Sequence, residues 1–369
     1  MTSTRMRPGA RRSRRLTWTA IATAPVMLLV GCADGNGNGE TDPDTDTPDT
    51  NATDDNGAGE AGDGGGDSRT LTLAHSYNED QPQHRCGAAV IAEEVQAADV
   101  GLEIEIFPSS QLGGDADRIA SVASGDIDMD IQGASALGAV YEPVSVMDAA
   151  YAFDDADHLA AYMASDASAT MLEGFEEASG VHTLGAWSAG ARHFTADRPI
   201  RTPADLDGLR MRFPGSPQFL MNARALGAEA TEVAYEELYL ALQQGTVDGQ
   251  ENPITNIVAS NLVEVQDYIS LSAHQLNTNL VIVSPVWNEL STEQQDALTA
   301  AVELAVTEVT ACVAEDEEAI FDEWRAGDDW EVIEDVDREA FQEQAEAHLL
   351  EELTGDSLEV FEAIRSTSG

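Results

Sequence analysis

Residues 70–74 (TLTLA) and 102–107 (LEIEIF) alternate apolar and polar positions with the two-residue period of a strand. Residues 83–96 between them carry apolar positions at helical spacing, so the folded part opens as β-α-β. The alternation continues with a helix over 115–124, strands over 127–131, 181–186 and 209–213, helices over 217–226 and 235–244, and strands over 268–272 and 280–283. Strands interleaved with helices predict an α/β fold of open, mostly parallel sheets. Past Pro285 the pattern is helical. Ser291 and Gln294 have the spacing of a capping box, and Leu298, Val302, Ala305, Val309 and Cys312 recur four and three residues apart, which predicts one long helix with a single apolar stripe. Such a stripe packs across the outside of a core, as a brace between two lobes.

The N-terminal pattern is different. Six arginines (Arg5, Arg7, Arg11, Arg12, Arg14, Arg15) precede an apolar run over 16–31 that ends at Cys32, the layout of an export leader. The run is interrupted by Pro25 and is too short for a transmembrane helix, which takes about 20 apolar residues. No later stretch is read as a span. Residues 29–32 (LVGC) resemble a lipobox, with Cys32 as the lipidated residue, so residues 1–31 are expected to be a signal peptide. Twin-arginine and Sec export are both open. Residues 33–67 hold eleven acidic residues, no basic ones and almost nothing apolar, so 32–68 reads as an acidic, disordered tether.

Roughly 300 residues remain, enough for two lobes. The full chain has 18 basic and 68 acidic residues and no lysine, a net charge of −50. Without the leader the charge is near −56, because all 68 acids lie after it and six arginines within it. That surface suits concentrated salt, where the Debye length falls to about 3 Å at 1 M, and a halophilic source is expected. It excludes nucleic acid as a partner, since neutralising phosphates needs a basic patch. Cys86 and Cys312 are left as either a disulfide or two separately buried thiols.

Catalytic signatures are missing: there is no nucleophile elbow, H-E-x-x-H, phosphate loop or dinucleotide fingerprint. The seven histidines lack metal-ligand spacing, and no carboxylate pair stands out in so acidic a chain. No enzyme, metal or cofactor is expected. The informative residues are arginines. Arg192, Arg198, Arg201, Arg210, Arg212 and Arg224 are half of those after the leader, within about a tenth of its length. Arg210 and Arg212 share one strand face with Met211 on the other, and a guanidinium grips a carboxylate bidentately. Surface ion pairing is the other reading of these arginines.

Residues 208–217 (GLRMRFPGSP), 225–228 (ALGA) and 235–253 (YEELYLALQQGTVDGQENP) closely resemble the DctP-type solute receptors of tripartite ATP-independent periplasmic (TRAP) transporters. Residues 111–115 (QLGGD), 125–128 (GDID) and 190–192 (GAR) fit in the same order, so the resemblance covers nearly everything from Arg69 onward. It implies a two-lobed periplasmic-binding-protein-like clamp of type II character with a long bridging C-terminal helix. Lobe one would be 69–189 plus 278–317 and lobe two 190–277 plus 318–369. It also implies a monomeric, extracytoplasmic, lipid-anchored receptor that binds a small organic acid and delivers it to membrane permease subunits. By position in the motif, Arg212 would salt-bridge the ligand carboxylate, Arg192 would support it and Asn252 would hydrogen-bond the same group. Weaker correspondences put His75, Gln111 and Ser135 near the cleft, with Phe213, Tyr235 and Phe153 as possible walls. Arg210 is assigned to the surface. The lysine-free acidity departs from the family pattern and bears on ionic conditions, not on the fold.

Overall fold

The computed structural model describes residues 68–327 and 330–367. The expected leader, Cys32 and all of the tether except Ser68 lie outside the described residues. Among those described, nine strands make one sheet: β1 (Arg69–His75), β2 (Leu102–Phe107), β3 (Met129–Gly133), β4 (His182–Ala196), β5 (Arg210–Phe213), β6 (Glu229–Glu232), β7 (Gly249–Pro253), β8 (Tyr268–Val283) and β9 (Glu331–Ile333). Their order is β2-β1-β3-β8-β4-β7-β5-β6, with β9 beside β8. The strands β2, β1 and β3 are mutually parallel, as are β7, β5 and β6. Between these wings β4 and β8 run antiparallel to each other, β8 antiparallel to β3 and β4 antiparallel to β7, while the short β9 pairs parallel with β8. The result is a two-lobed α/β clamp whose halves share two long strands.

Those two strands differ from the sequence expectation. β4 runs ten residues past 186, and β8 is unbroken where a gap between 272 and 280 was expected. Buried polar residues, among them Ser188, Arg192, His193 and Thr195 on β4 and His274, Gln275, Asn277, Thr278 and Asn279 on β8, interrupt the apolar pattern, so alternation could not reveal the full strands. Their polar groups pair across strands: the His193 ring nitrogen accepts from the Ala273 amide at 3.0 Å, and Gln250 donates to Thr195 at 3.0 Å. The crossing is irregular. The β4 register shifts between Ser188 and Ala191, Gly190 sits at φ 98°, and Ala273 on β8 sits at φ 43°.

Local signals explain the regular helices. Asp115–Ser124 has Asp115 and Asp117 in its first turn, where carboxylates favour the helix dipole, and ends on Gly125 in the left-handed region. Pro217–Leu226 starts from Ser216, whose hydroxyl accepts from the Phe219 amide, and stops at Gly227. The expected 83–96 helix is a wide turn over Gln83–Ala88 continuing as Ala89–Ala98, and the 235–244 helix is a tight turn followed by Leu238–Gln243.

The long helix spans Thr292–Ala326, with the capping box of Ser291 and Gln294 in place. By length and composition it could cross a membrane, which corrects the expectation that nothing beyond the leader qualifies. Its buried stripe of Leu298, Ala301, Val302, Ala305, Val309 and Val313 packs in the same core as Trp187 of β4. A side chain at Gly185 would press on Val302 and Val306, so that glycine lets the helix approach the strand. Cys86 and Cys312 form a disulfide that ties this brace to the first wing, which decides the open alternative. The last helix, Gly355–Thr367, returns to the segment after β3: Arg365 donates to the Tyr151 and Ala152 carbonyls and to Asp154.

Candidate functional site

The carboxyl ends of β1 and β3 in one wing, and of β5, β6 and β7 in the other, meet at a cavity of about 680 Å³. Open α/β sheets bind ligands there, where chain leaving a strand end supplies side chains and helix N-termini. The first wing contributes Ser76, Tyr77, Gln132 and Ser135; the second contributes Ser216, Tyr235, Asn252 and Asn256. Asn277 and Asn279 reach the cavity from β8.

Arg212, on β5, lines the cavity and is only 2% exposed. Its Nε donates to the Val233 carbonyl at 2.8 Å. Among the described residues no carboxylate is within ion-pair distance of it, and its two terminal nitrogens have no hydrogen-bond partner. Burial pulls its pKa down to about 10, with Glu251 opposing that and Arg192 adding to it. Arg210, two residues earlier, is exposed and pairs with Asp248 at 2.5 Å, while Met211 between them is in the core.

Arg192 is held differently. Its Nε and one terminal nitrogen grip both carboxylate oxygens of Glu251, the second contact at 2.7 Å. The other terminal nitrogen donates to Asn277 Oδ1 at 2.6 Å, and its plane lies over the Phe219 ring at 4.7 Å. A bidentate guanidinium–carboxylate pair is rigid and close to neutral. Burial alone would raise the Glu251 pKa, but Arg192 and then His274 hold it below the usual glutamate value. Asn252 Oδ1 accepts from Arg192 at 3.3 Å and its amide donates to Gln250, so this asparagine is fixed by the same network. Asp148, also on the cavity wall, accepts the Ser135 and Thr278 amides at 2.8 Å each. Burial nevertheless pushes its carboxyl up to about 6.

The structure therefore brings Arg212, Arg192, Asn252, Ser135 and Tyr235 of the expected set to one cavity. It puts three others elsewhere. Phe213 is in the apolar core, Gln111 is exposed outside the cavity lining, and His75 is fully buried with its ring 3.1 Å from His84. Phe153 also belongs to the core. Sequence reading missed Tyr77, Asp148, Asn277 and Asn279. For the two asparagines a signal existed: polar residues two apart in a run that is apolar on one side and strand-forming on both.

A cleft between two wings of one sheet, with a brace helix across the back and no catalytic constellation among the described residues that line it, is that of a two-lobed solute-binding protein. The chain belongs to the bacterial extracellular solute-binding protein family 7, DctP, whose profile matches residues 73–354. A solute-binding protein of Roseobacter denitrificans is 33% identical over 231 residues, 62% of this chain and 70% of that one. The 2,3-diketo-L-gulonate-binding periplasmic protein of Escherichia coli is 32% identical over 246 residues, 65% of this chain and 73% of its own. A solved TRAP periplasmic solute-binding protein from Polaromonas sp. JS666, bound to D-erythronate, superposes with a TM-score of 0.75 at 30% identity, covering 81% of this chain and 99% of that one. The protein is an extracytoplasmic TRAP-type solute receptor and not an enzyme.

Proposed function

We propose that this receptor captures a small organic acid by its carboxylate and delivers it to TRAP permease subunits in the membrane. The carboxylate docks on the terminal nitrogens of Arg212, with Asn252 beside it and the Arg192–Glu251 pair behind. One observation carries the reading: Arg212 is a buried cation whose terminal nitrogens, unlike those of Arg192, have no carboxylate partner among the described residues. Burying a guanidinium without a counter-ion is costly, and a bound carboxylate removes that cost. The relatives named above are described as binding 2,3-diketo-L-gulonate and D-erythronate, both of them acids, which supports the same class here.

The division into lobes 69–189 plus 278–317 and 190–277 plus 318–369 belongs to this proposal. It is supported by β4 and β8 passing between the wings at their irregular centres; the last helix is the exception, since Arg365 bonds to Tyr151, Ala152 and Asp154 of lobe one. A monomer anchored through lipid on Cys32, working in strong salt, completes it.

The test is calorimetry of the domain from Ser68 onward against organic acids, with neutral sugars and peptides as controls. Arg212→Ala is expected to weaken acid binding at least tenfold, since losing one partner of a desolvated charge pair costs on the order of 2–5 kcal/mol. Arg210→Ala should leave it unchanged. Equal affinity in wild type and Arg212→Ala, or binding of neutral sugars alone, would overturn the reading.

A further inference from the structure

Resting on the carboxylate reading of this cleft, we infer that it is built for a monocarboxylate whose body carries hydroxyls, and that its acidic rim excludes a second carboxylate. The argument begins with charge. Two guanidiniums line the cavity, but Glu251 neutralises Arg192, so Arg212 is the one cation without a carboxylate partner among the described lining residues. The remaining charged lining is all acidic: Asp148 in the wall, and Asp115, Asp117, Glu232, Glu236 and Glu237 around the rim. Glu236 accepts a 2.7 Å bond from Ser110, and Asp115 accepts from Ser76 and Arg118 at 3.0 Å each. Among the described residues, Glu232 has no hydrogen-bond partner for its carboxylate. A dicarboxylate clasped at Arg212 would bring its far end among these groups, where like charges repel, while hydroxyls there would donate to them.

The second observation is the orientation of the amides. An arginine only donates, so the 2.6 Å contact from Arg192 fixes the oxygen of Asn277 toward the guanidinium and turns its NH₂ the other way. Asn279, two residues along the same strand face, accepts the Tyr77 hydroxyl at 2.8 Å through its own oxygen. Both asparagines are more than nine-tenths buried and line the cavity, and neither NH₂ has a partner among the described residues. They are two fixed donors beside the carboxylate clasp, suited to hydroxyl oxygens on the carbons next to the carboxylate. With acceptors at the rim and donors at the clasp, the cleft offers both halves of a hydroxyl's hydrogen bonding along its length. Asn277 and Asn279 thereby become binding residues for the body of the ligand.

The test is calorimetry on the folded domain with chain-matched acids: erythronate and threonate against butyrate, succinate and malate, then gluconate and galactonate against hexanoate and adipate. The hydroxylated monocarboxylates are expected to bind at least tenfold tighter than both the bare and the doubly charged acids of equal length, because a site built to bond hydroxyls rejects analogues lacking them. The double variant Glu232→Gln/Glu236→Gln, at exposed positions that leave the fold alone, should narrow the gap to dicarboxylates several-fold, and more in low salt than in high. Asn277→Ala, checked for an intact melting transition, should cost the hydroxylated acids at least tenfold while changing butyrate and hexanoate little. A dicarboxylate binding as tightly as its hydroxylated counterpart in the wild type would overturn this inference yet leave the carboxylate reading standing if Arg212→Ala still abolished binding. Binding of no acid at all would sink both.

Discussion

Glu251 holds Arg192 through both carboxylate oxygens, and Arg212 on the far side of β7 has no such partner among the described residues. Two arginines of similar burial thus have opposite roles. Arg192 is a neutralised support whose remaining contacts orient Asn252 and Asn277, and Arg212 keeps an uncompensated charge, the one assigned to the ligand in the function proposed above. His274 closes the network from behind, stacked on Phe194 at 4.2 Å and 3.3 Å from Glu251.

Breaking that pair from the acid side leaves two uncompensated guanidiniums close together. Glu251→Gln is expected to destabilise the ligand-free domain by about 3–5 kcal/mol, the penalty for one orphaned partner of a buried pair. Calorimetric melting with and without a bound acid checks this, and the ligand should recover part of the loss.

Glu317 of the long helix faces Gly190 at the irregular centre of β4, and its Oε1 has no hydrogen-bond partner. Burial lifts its carboxyl from the ordinary 4.5 to about 7, against a partial offset from the Ala191 amide. The folded state then keeps a proton that the unfolded chain releases, so this group's contribution is fully present below about pH 4.5 and is lost as pH rises through about 7. Glu317→Gln should flatten that decline and raise the melting temperature at pH 8 by a few degrees. Asp130 and Asp148, pushed up to about 7 and about 6 chiefly by burial, titrate in the same window, so the readout is the difference between wild type and variant.

The disulfide closes a sequence separation of 226 residues between the first wing and the brace. Cross-links of this kind stabilise by about 2–4 kcal/mol. Removing it in the double variant Cys86→Ser/Cys312→Ser should lower the melting temperature by roughly 4–10 °C. The same drop should follow reduction of the wild type, and ligand affinity should change little because neither cysteine lines the cavity.

Charge steering in this receptor runs against its ligand. With 68 acidic residues against 18 basic ones, the protein repels an approaching anion at long range, while the Arg212 contact proposed above would act only at short range. Association rates for an organic acid, followed by stopped flow, should therefore rise as salt screens the bulk charge, the reverse of ordinary steering. A fall in rate with salt would contradict it.

By itself the sequence determined what depends on near neighbours. The helices Asp115–Ser124 and Pro217–Leu226 begin and end where their caps and glycines say, and the brace starts at its capping box, because those signals act within one turn. The alternation about Met211 separated a core side chain from two arginines, and the ordered motifs identified the family. Tertiary structure alone decided the rest. That β4 and β8 run unbroken between the wings, that Cys86 meets Cys312, and that Phe213, His75 and Gln111 lie outside the cavity lining all depend on contacts distant in the chain. So does the difference between the arginines: which buried guanidinium meets a carboxylate is settled by register across β7, and a buried polar side chain carries no periodic mark of its partner.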